Sequence, residues 1–303
     1  MATKKNTPAV RELRYSMNAS ATPGTAGSSY IDLAKDLSIV NRRLYRQGRD
    51  YHVKRVTIVS TTTPNLGNKV SIGAIPDGWV SRNAWRRGFD TWTKMNRDAL
   101  HNTSKSVTST WHDFKIYLNA AMTAGVATPK DMDGNTYSPG EWSYSKYVSP
   151  DLGVVDEFGV YMLGDHSGAA GAWNYVGLIK SYAESRATVQ VGSPLVPSPA
   201  NTDPLTNVFD YGETIDDVID NIEEENDEAP YNTFVYPGEA GNGEGPITVG
   251  NGTLNEGRLV LGGFNAIAGL LRIDLISTVP NDAFDVIVEL APGKYRGIAA
   301  EVI

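Results

Sequence analysis

Two stretches in the last forty residues alternate apolar and polar positions most clearly. In LLRIDLIS, Leu271, Ile273 and Leu275 share one parity, and in AFDVIVEL so do Phe284, Val286, Val288 and Leu290. A period of two puts each set on one face of a half-buried β-strand. KVSIGAI repeats the pattern with Val70, Ile72 and Ala74. YHVKRVTIVSTT interrupts it: Tyr51 and Val53 have one parity, Val56 and Ile58 the other. One continuous apolar face there requires a β-bulge near Lys54-Arg55. WHDFKIYLN sets His112, Phe114, Ile116 and Leu118 against Asp113, Lys115, Tyr117 and Asn119, which predicts a further strand. FGVYMLG, WNYVGLIKSYA and SRATVQV are strand-like runs separated by Gly, Ser and Pro clusters.

The period changes in DGWVSRNAWRRGFDTWTKMNRDAL. Trp85, Phe89, Trp92 and Met95 fall on one helical stripe, and Arg82, Arg86, Asp90, Lys94 and Arg97 lie largely away from it, which predicts an amphipathic helix. A second helix is expected after the proline-rich loop at 193–213, with an Ile215, Val218, Ile219, Ile222 stripe and a capping box of Thr214 and Asp217. Leu33, Leu37, Val40 and Leu44 show weaker helical spacing, compatible with a short helix or an extended lead-in. Residues 1–30 are rich in Ser, Thr, Ala, Gly and Pro, and residues 1–36 read as a flexible, weakly basic arm ahead of a domain at 37–303. Many short strands, long polar loops and few helices predict a mainly β protein, a β-sandwich with inserted helices.

Composition narrows the class. With 303 residues, 41% hydrophobic and 20% charged, the chain can bury a substantial core. It has no cysteine, which excludes disulfides, thiolate metal sites and cysteine nucleophiles. No apolar run has the length to span a bilayer, and the N-terminal residues lack the pattern of a secretory signal; a soluble protein without a membrane partner is expected. Charge is sorted along the chain: residues 1–100 hold 17 Lys and Arg against 7 Asp and Glu, although the whole chain carries −8. Such asymmetry points to a polyanionic partner for the basic part.

Several candidate sites have simpler explanations. His166 in LGDHSGAAG has Asp165 and Ser167 as neighbours, but adjacent residues on an extended chain point to opposite sides, so they do not form a triad. Asp131, Asp133 and Asn135 in KDMDGNTYSPGEW have the alternating spacing of a calcium loop, yet Gly134 comes too early and Glu141 one place short. An Asp-Gly turn accounts for the same residues, and Ca2+ is the minority reading. The carboxylate-rich run from Asp216 to Glu228 reads as a solvated face, and GNGEGPITVGNG lacks the ending and context of a phosphate loop. Paired carboxylates for glycoside hydrolysis are numerous, but nothing selects one pair. No catalytic constellation emerges, and no cofactor is expected.

The basic third carries the stronger signal. Arg42, Arg43, Arg46 and Arg49 are interleaved with Tyr45 and Tyr51 in SIVNRRLYRQGRDYHVKRVTIV, and Lys4, Lys5, Arg11 and Arg14 precede them. Cations next to aromatic rings suit single-stranded nucleic acid, through phosphate contact and base stacking. Together with VSIGAIPDGWVSRNAWRRGFDTWTKMN, that segment resembles the capsid proteins of small circular single-stranded DNA viruses known mostly from environmental samples. The resemblance covers about a quarter of the chain. It implies an eight-stranded jelly roll, a many-copy icosahedral shell, a single-stranded DNA genome as partner, and residence in a virion assembled in the host cell. The arm is less basic than in many such proteins, which shifts the expected genome contact toward Arg42, Arg43, Arg46 and Arg49. A carbohydrate-binding or host-attachment β-sandwich is the alternative, on the strength of 15 Tyr, 6 Trp and Gly-, Ser- and Asn-rich loops.

Overall fold

The computed structural model describes residues 8–61, 67–101, 111–151, 154–169, 172–185 and 245–303. The expected acidic helix and the proline-rich loop before it, the SRATVQV strand, Lys4 and Lys5 lie outside the described residues. In chain order, β1 (Glu12–Asn18), β2 (Ala26–Asp32), α1 (Leu33–Asn41), β3 (Arg49–Ser60) and β4 (Lys69–Ala74) come first. An insertion follows, with α2 (Trp79–His101), β5 (Lys146–Asp151), β6 (Val154–Tyr161), β7 (Ser167–Ala169), β8 (Ala172–Gly177) and α3 (Leu178–Glu184). Then come β9 (Ile247–Thr253), β10 (Arg258–Leu261), β11 (Phe264–Ile267), β12 (Leu270–Ile276), β13 (Ala283–Leu290), β14 (Pro292–Gly293), β15 (Gly297–Ile298) and β16 (Ala300–Val302).

The protein is mainly β. One antiparallel sheet has the order β1-β13-β3-β10, with β11 and β16 also paired to β3; a second has the order β2-β12-β4-β9. Their inward residues form one apolar core: Leu13, Tyr15 and Met17 from β1, Val286 and Val288 from β13, and Ile72 and Ile273 from the facing sheet. This arrangement is compatible with a β-sandwich.

The bulge expected in β3 is present. Glu289 pairs with Arg55 and Leu290 with Val53, leaving Lys54 as the extra residue. Tyr51, Val53, Val56 and Ile58 are therefore all buried despite their opposite parity, while Lys54 and Arg55 both point outward onto the Glu289 carboxylate. Opposite the bulge the neighbouring strand breaks into β10 and β11. A side chain on Gly263 at that break would meet the Val53 carbonyl oxygen at 2.8 Å.

Three expectations are corrected. Residues 12–36 are not an arm: β1 pairs with β13 along seven residues, β2 pairs with β12, and the proposed boundary at 36/37 cuts through α1. The alternation of Leu13, Tyr15 and Met17 is what drives β1 into the core. WNYVGLIKSYA is half strand and half helix, because Leu178, Ile179 and Tyr182 form a helical stripe buried beside α2. WHDFKIYLN buries Phe114, Ile116 and Leu118 in alternation, yet its only bridge to a strand among the described residues is Tyr117–Tyr161. Asp113 and Lys115 are buried as well, so both faces are covered, and the backbone is satisfied in part by side chains and in part by backbone groups of Ser145, Val160, Met162 and Leu163. The Ile116 N–H donates to Gln47 Oε1 at 2.6 Å and the Lys115 N–H to Ser145 Oγ at 2.9 Å.

The insertion has its own core. Trp85 and Trp92 of α2, with Phe89 and Met95 half-buried on the same stripe, pack on Phe114, Tyr147 and Leu178. That cluster includes Ile267, Ala268 and Leu270, so the insertion is seated on the end of the sheets where β11 turns into β12.

Candidate nucleic-acid interface

The arginine run begins where α1 stops. Asp32 caps the start of the helix, accepting a hydrogen bond from the Lys35 N–H at 3.0 Å. At the other end Arg42 adopts left-handed backbone, φ 53°, a conformation that usually favours glycine at this position. Its side chain is exposed, as is that of Arg43, whose Nη1 donates to the Pro8 carbonyl at 3.3 Å. Residues 8–11 run beside the same helix end. Asn41 accepts from the Val10 N–H at 2.7 Å and donates to the Val10 carbonyl at 3.0 Å, bringing exposed Arg11 next to the run.

The loop after α1 is held from beneath. Tyr45 and Gln47 are fully buried, so Arg46 between them faces out. Tyr45 OH donates to the Arg296 carbonyl at 2.9 Å, and the Arg46 N–H donates to Tyr295 OH at 3.1 Å. Tyr51 OH donates to the Arg46 carbonyl at 2.8 Å. Gln47 Nε2 donates to Asp32 Oδ2 at 2.8 Å and to the Ile116 carbonyl at 3.1 Å. Gly48 lies against Trp85, where a Cβ would come within 2.8 Å of the ring. A cation-bearing loop fixed in this way loses little entropy on binding.

The four arginines are not equivalent. Arg46 Nη1 stands 3.5 Å from Asp113 Oδ1, and burial pushes the Asp113 carboxyl up against the opposing pull of that guanidinium. Arg49 is half-buried, its guanidinium 4.4 Å from the Tyr295 ring centroid. Arg42, Arg43 and Arg11 have no carboxylate partner among the described residues. Arg14 does: it pairs with Asp285 on β13, so its charge is already matched. The structure therefore joins Arg11 to the run and separates Arg14 from it.

Three contributors escaped the sequence reading. Tyr295 is the ring on which the loop rests, edge-on to Tyr45 at 5.8 Å and under Arg49. Exposed Arg296 donates to the Leu44 carbonyl, adding a cation from a part of the chain that is acidic on average. Arg86 of α2 donates to the Ile303 carbonyl at 2.9 Å and lines, with Arg46, Arg49, Trp85 and the carboxylates of Asp90 and Asp113, a cleft of 360 Å³ at the foot of the run. The hairpin β14–β15 and helix α2 bring these residues in from far along the sequence.

Elsewhere the candidate sites resolve into local structure. Asp131 Oδ1 accepts from the N–H groups of Asp133 and Asn135 at 3.0 and 2.8 Å, and Gly134 has φ 83°; the carboxylate closes its own turn. No group of three or more His, Asp or Glu side chains converges on a metal-sized site among the described residues. His166 Nδ1 accepts from the Gly177 N–H at 3.2 Å and its ring lies 5.0 Å from that of Trp173, while Lys180 binds Asp165. No helix among the described residues is long and apolar enough to cross a membrane. Comparison with known protein families, curated proteins and solved structures finds no match.

Proposed function

We propose that this protein is a coat subunit, a jelly roll that assembles in many copies around single-stranded DNA and meets the genome with Arg11, Arg42, Arg43 and Arg46. The observation that carries the proposal is the nesting of the strands: β1 pairs with β13, β2 with β12, β3 with β10 and β4 with β9, all antiparallel. The chain thus follows one long antiparallel ribbon whose successive pairs fall alternately in the two sheets, which supports the jelly-roll reading. The resemblance of SIVNRRLYRQGRDYHVKRVTIV and the α2 segment to capsid proteins of small circular single-stranded DNA viruses supports the same reading.

The role is structural, not enzymatic, and the place of work is the virion. Exposed arginines, three of them without a carboxylate partner among the described residues and Arg46 standing 3.5 Å from Asp113, bind phosphates without reading bases. The full chain, expressed and purified, should give particles of uniform diameter in electron micrographs, far larger than the 32.8 kDa monomer, with a raised 260/280 nm absorbance ratio. A monomer under every salt and pH condition would overturn it.

A further inference from the structure

A second groove, of 410 Å³, opens on the insertion between the β5-β6-β8-β7 sheet and the segment carrying Tyr117 and Tyr144. We propose that it binds a neutral saccharide. Tyr117 is stacked on Tyr144 with ring centroids 3.9 Å apart, and Tyr175 stands edge-on to Tyr117 at 6.1 Å. Tyr117 and Tyr175 offer the C–H face of a sugar an apolar surface, while the Tyr144 hydroxyl turns inward onto Asp32 Oδ2 and backs the stack. The polar wall is uncharged in sum. Lys146 and Glu157 form an exposed ion pair at 2.9 Å, and Asn174 offers both a donor and an acceptor. A phosphate chain finds no net positive charge here, and an aliphatic peptide side chain finds no aliphatic side chain among the lining residues. Sugar hydroxyls match donors and acceptors of both kinds.

Two backbone features build this wall. Ser167 pairs with Tyr175 and Gly168 with Trp173, so Asn174 is the extra residue of a β-bulge in β8. Successive residues on a regular strand face opposite sides; the bulge lets Asn174 and Tyr175 both line the groove. On the neighbouring strand, a Cβ on Gly159 would lie 2.3 Å from the Tyr175 ring. Glycine there is what allows the ring to rest on the sheet. The groove shares no lining residue with the cleft at the foot of the arginine run.

The test uses the full chain and three probes, lactose, N,N′-diacetylchitobiose and maltose, followed by saturation-transfer NMR and calorimetry, with an octathymidylate as competitor. At least one disaccharide should bind. Asn174→Ala, an exposed position, should weaken it about tenfold, the loss of one well-made polar contact. Gly159→Ala should weaken it as much by displacing Tyr175, although every polar side chain of the wall is retained, and circular dichroism should stay unchanged in the Asn174 variant. Absence of binding for all three sugars at about 20 mM, equal affinity in Asn174→Ala, or displacement of the sugar by the oligonucleotide would each overturn the proposal.

Discussion

The two ends of α1 carry opposite solutions to the same problem, that of placing charge on a short helix. Its first turn is wholly buried, with Asp32, Lys35 and Asp36 beneath the surface. Its last turn runs into Arg42 and Arg43, which are exposed. The buried charges are tied to three other parts of the molecule. Asp36 Oδ2 accepts from Tyr15 OH of β1 at 2.7 Å, Lys35 Nζ donates to the Ala127 carbonyl at 2.9 Å, and Asp32 Oδ2 accepts from Gln47 and from Tyr144 OH, the latter at 3.2 Å. This network fastens the insertion to the sheets. Removing one member strands the others without water, whereas removing an exposed arginine strands nothing. Stability is therefore concentrated at one end of the helix, and binding capacity at the other.

The largest effect is expected at Gln47, which has both ends of its amide in use. Gln47→Ala would orphan the Ile116 N–H and one partner of Asp32, and should cost about 3 kcal/mol in urea unfolding. A loss below about 1 kcal/mol would mean that the insertion is held by its apolar contacts alone.

Asp36 comes next. Burial pushes its carboxyl up to about 8, against the opposing pull of Lys35 and the Tyr15 hydrogen bond; Lys35 Nζ stands 3.6 Å from Oδ1, too far for a hydrogen bond. A carboxyl that holds its proton more tightly folded than unfolded favours folding in acid. Its contribution is fully present below the ordinary carboxylate range and is lost as pH rises from about 4 towards 8. Asp32 shifts in the same direction, by burial. Asp36→Asn keeps an acceptor for Tyr15 and removes the titration, so it should flatten the fall in melting temperature between pH 5 and 8, a difference of the order of 2 kcal/mol. Unchanged pH dependence in that variant would assign the effect to the other buried carboxyls pushed up by burial, Asp32, Asp50 and Asp113.

Much of this contrast was hidden in the sequence. Most strands of alternating parity were legible, including the bulge at Lys54, because burial on one face leaves a period of two whatever the partner strand is. β1 carries the same alternation in Leu13, Tyr15 and Met17 but lies in a segment whose composition reads as an arm, and WHDFKIYLN alternates without joining a sheet. α2 was legible from its tryptophan stripe. β2 was not: AGSSYID has small residues on its outer positions and leaves no period to read. Of the interface, the arginines were visible as a charge run. Their inequality depends on Asp113, Asp285 and Tyr295, partners brought in by long-range pairing that no local pattern encodes.

A smaller effect, opposite in sign, is expected at the end of α1. Arg42 holds φ 53° at a cost that glycine does not incur. Arg42→Gly should raise stability by about 0.5 to 1 kcal/mol and still weaken DNA binding, separating the two properties within one residue. A stability loss would show that the Arg42 side chain makes contacts that help to hold the helix end.

The smallest effect on stability, and the most informative for function, is expected from Arg11, Arg42 and Arg43 changed together to glutamine. None has a carboxylate partner among the described residues, so the folded protein loses no ion pair, and melting should move by no more than about 0.5 kcal/mol. DNA binding should change far more. For single strands, log affinity falls against log salt by about 0.7 for each phosphate neutralised, so three lost contacts should reduce the slope by about 2. Two unrelated oligonucleotides should be affected alike, since phosphates carry no sequence. Arg14→Gln is the matched control: the residue is exposed too but already paired with Asp285, and its loss should leave the slope within about 0.3 of the wild type. Equal slopes for the triple variant and the wild type would remove these arginines as the genome contact. A slope changed as much by Arg14→Gln would show that carboxylate pairing does not decide which arginines are free to bind.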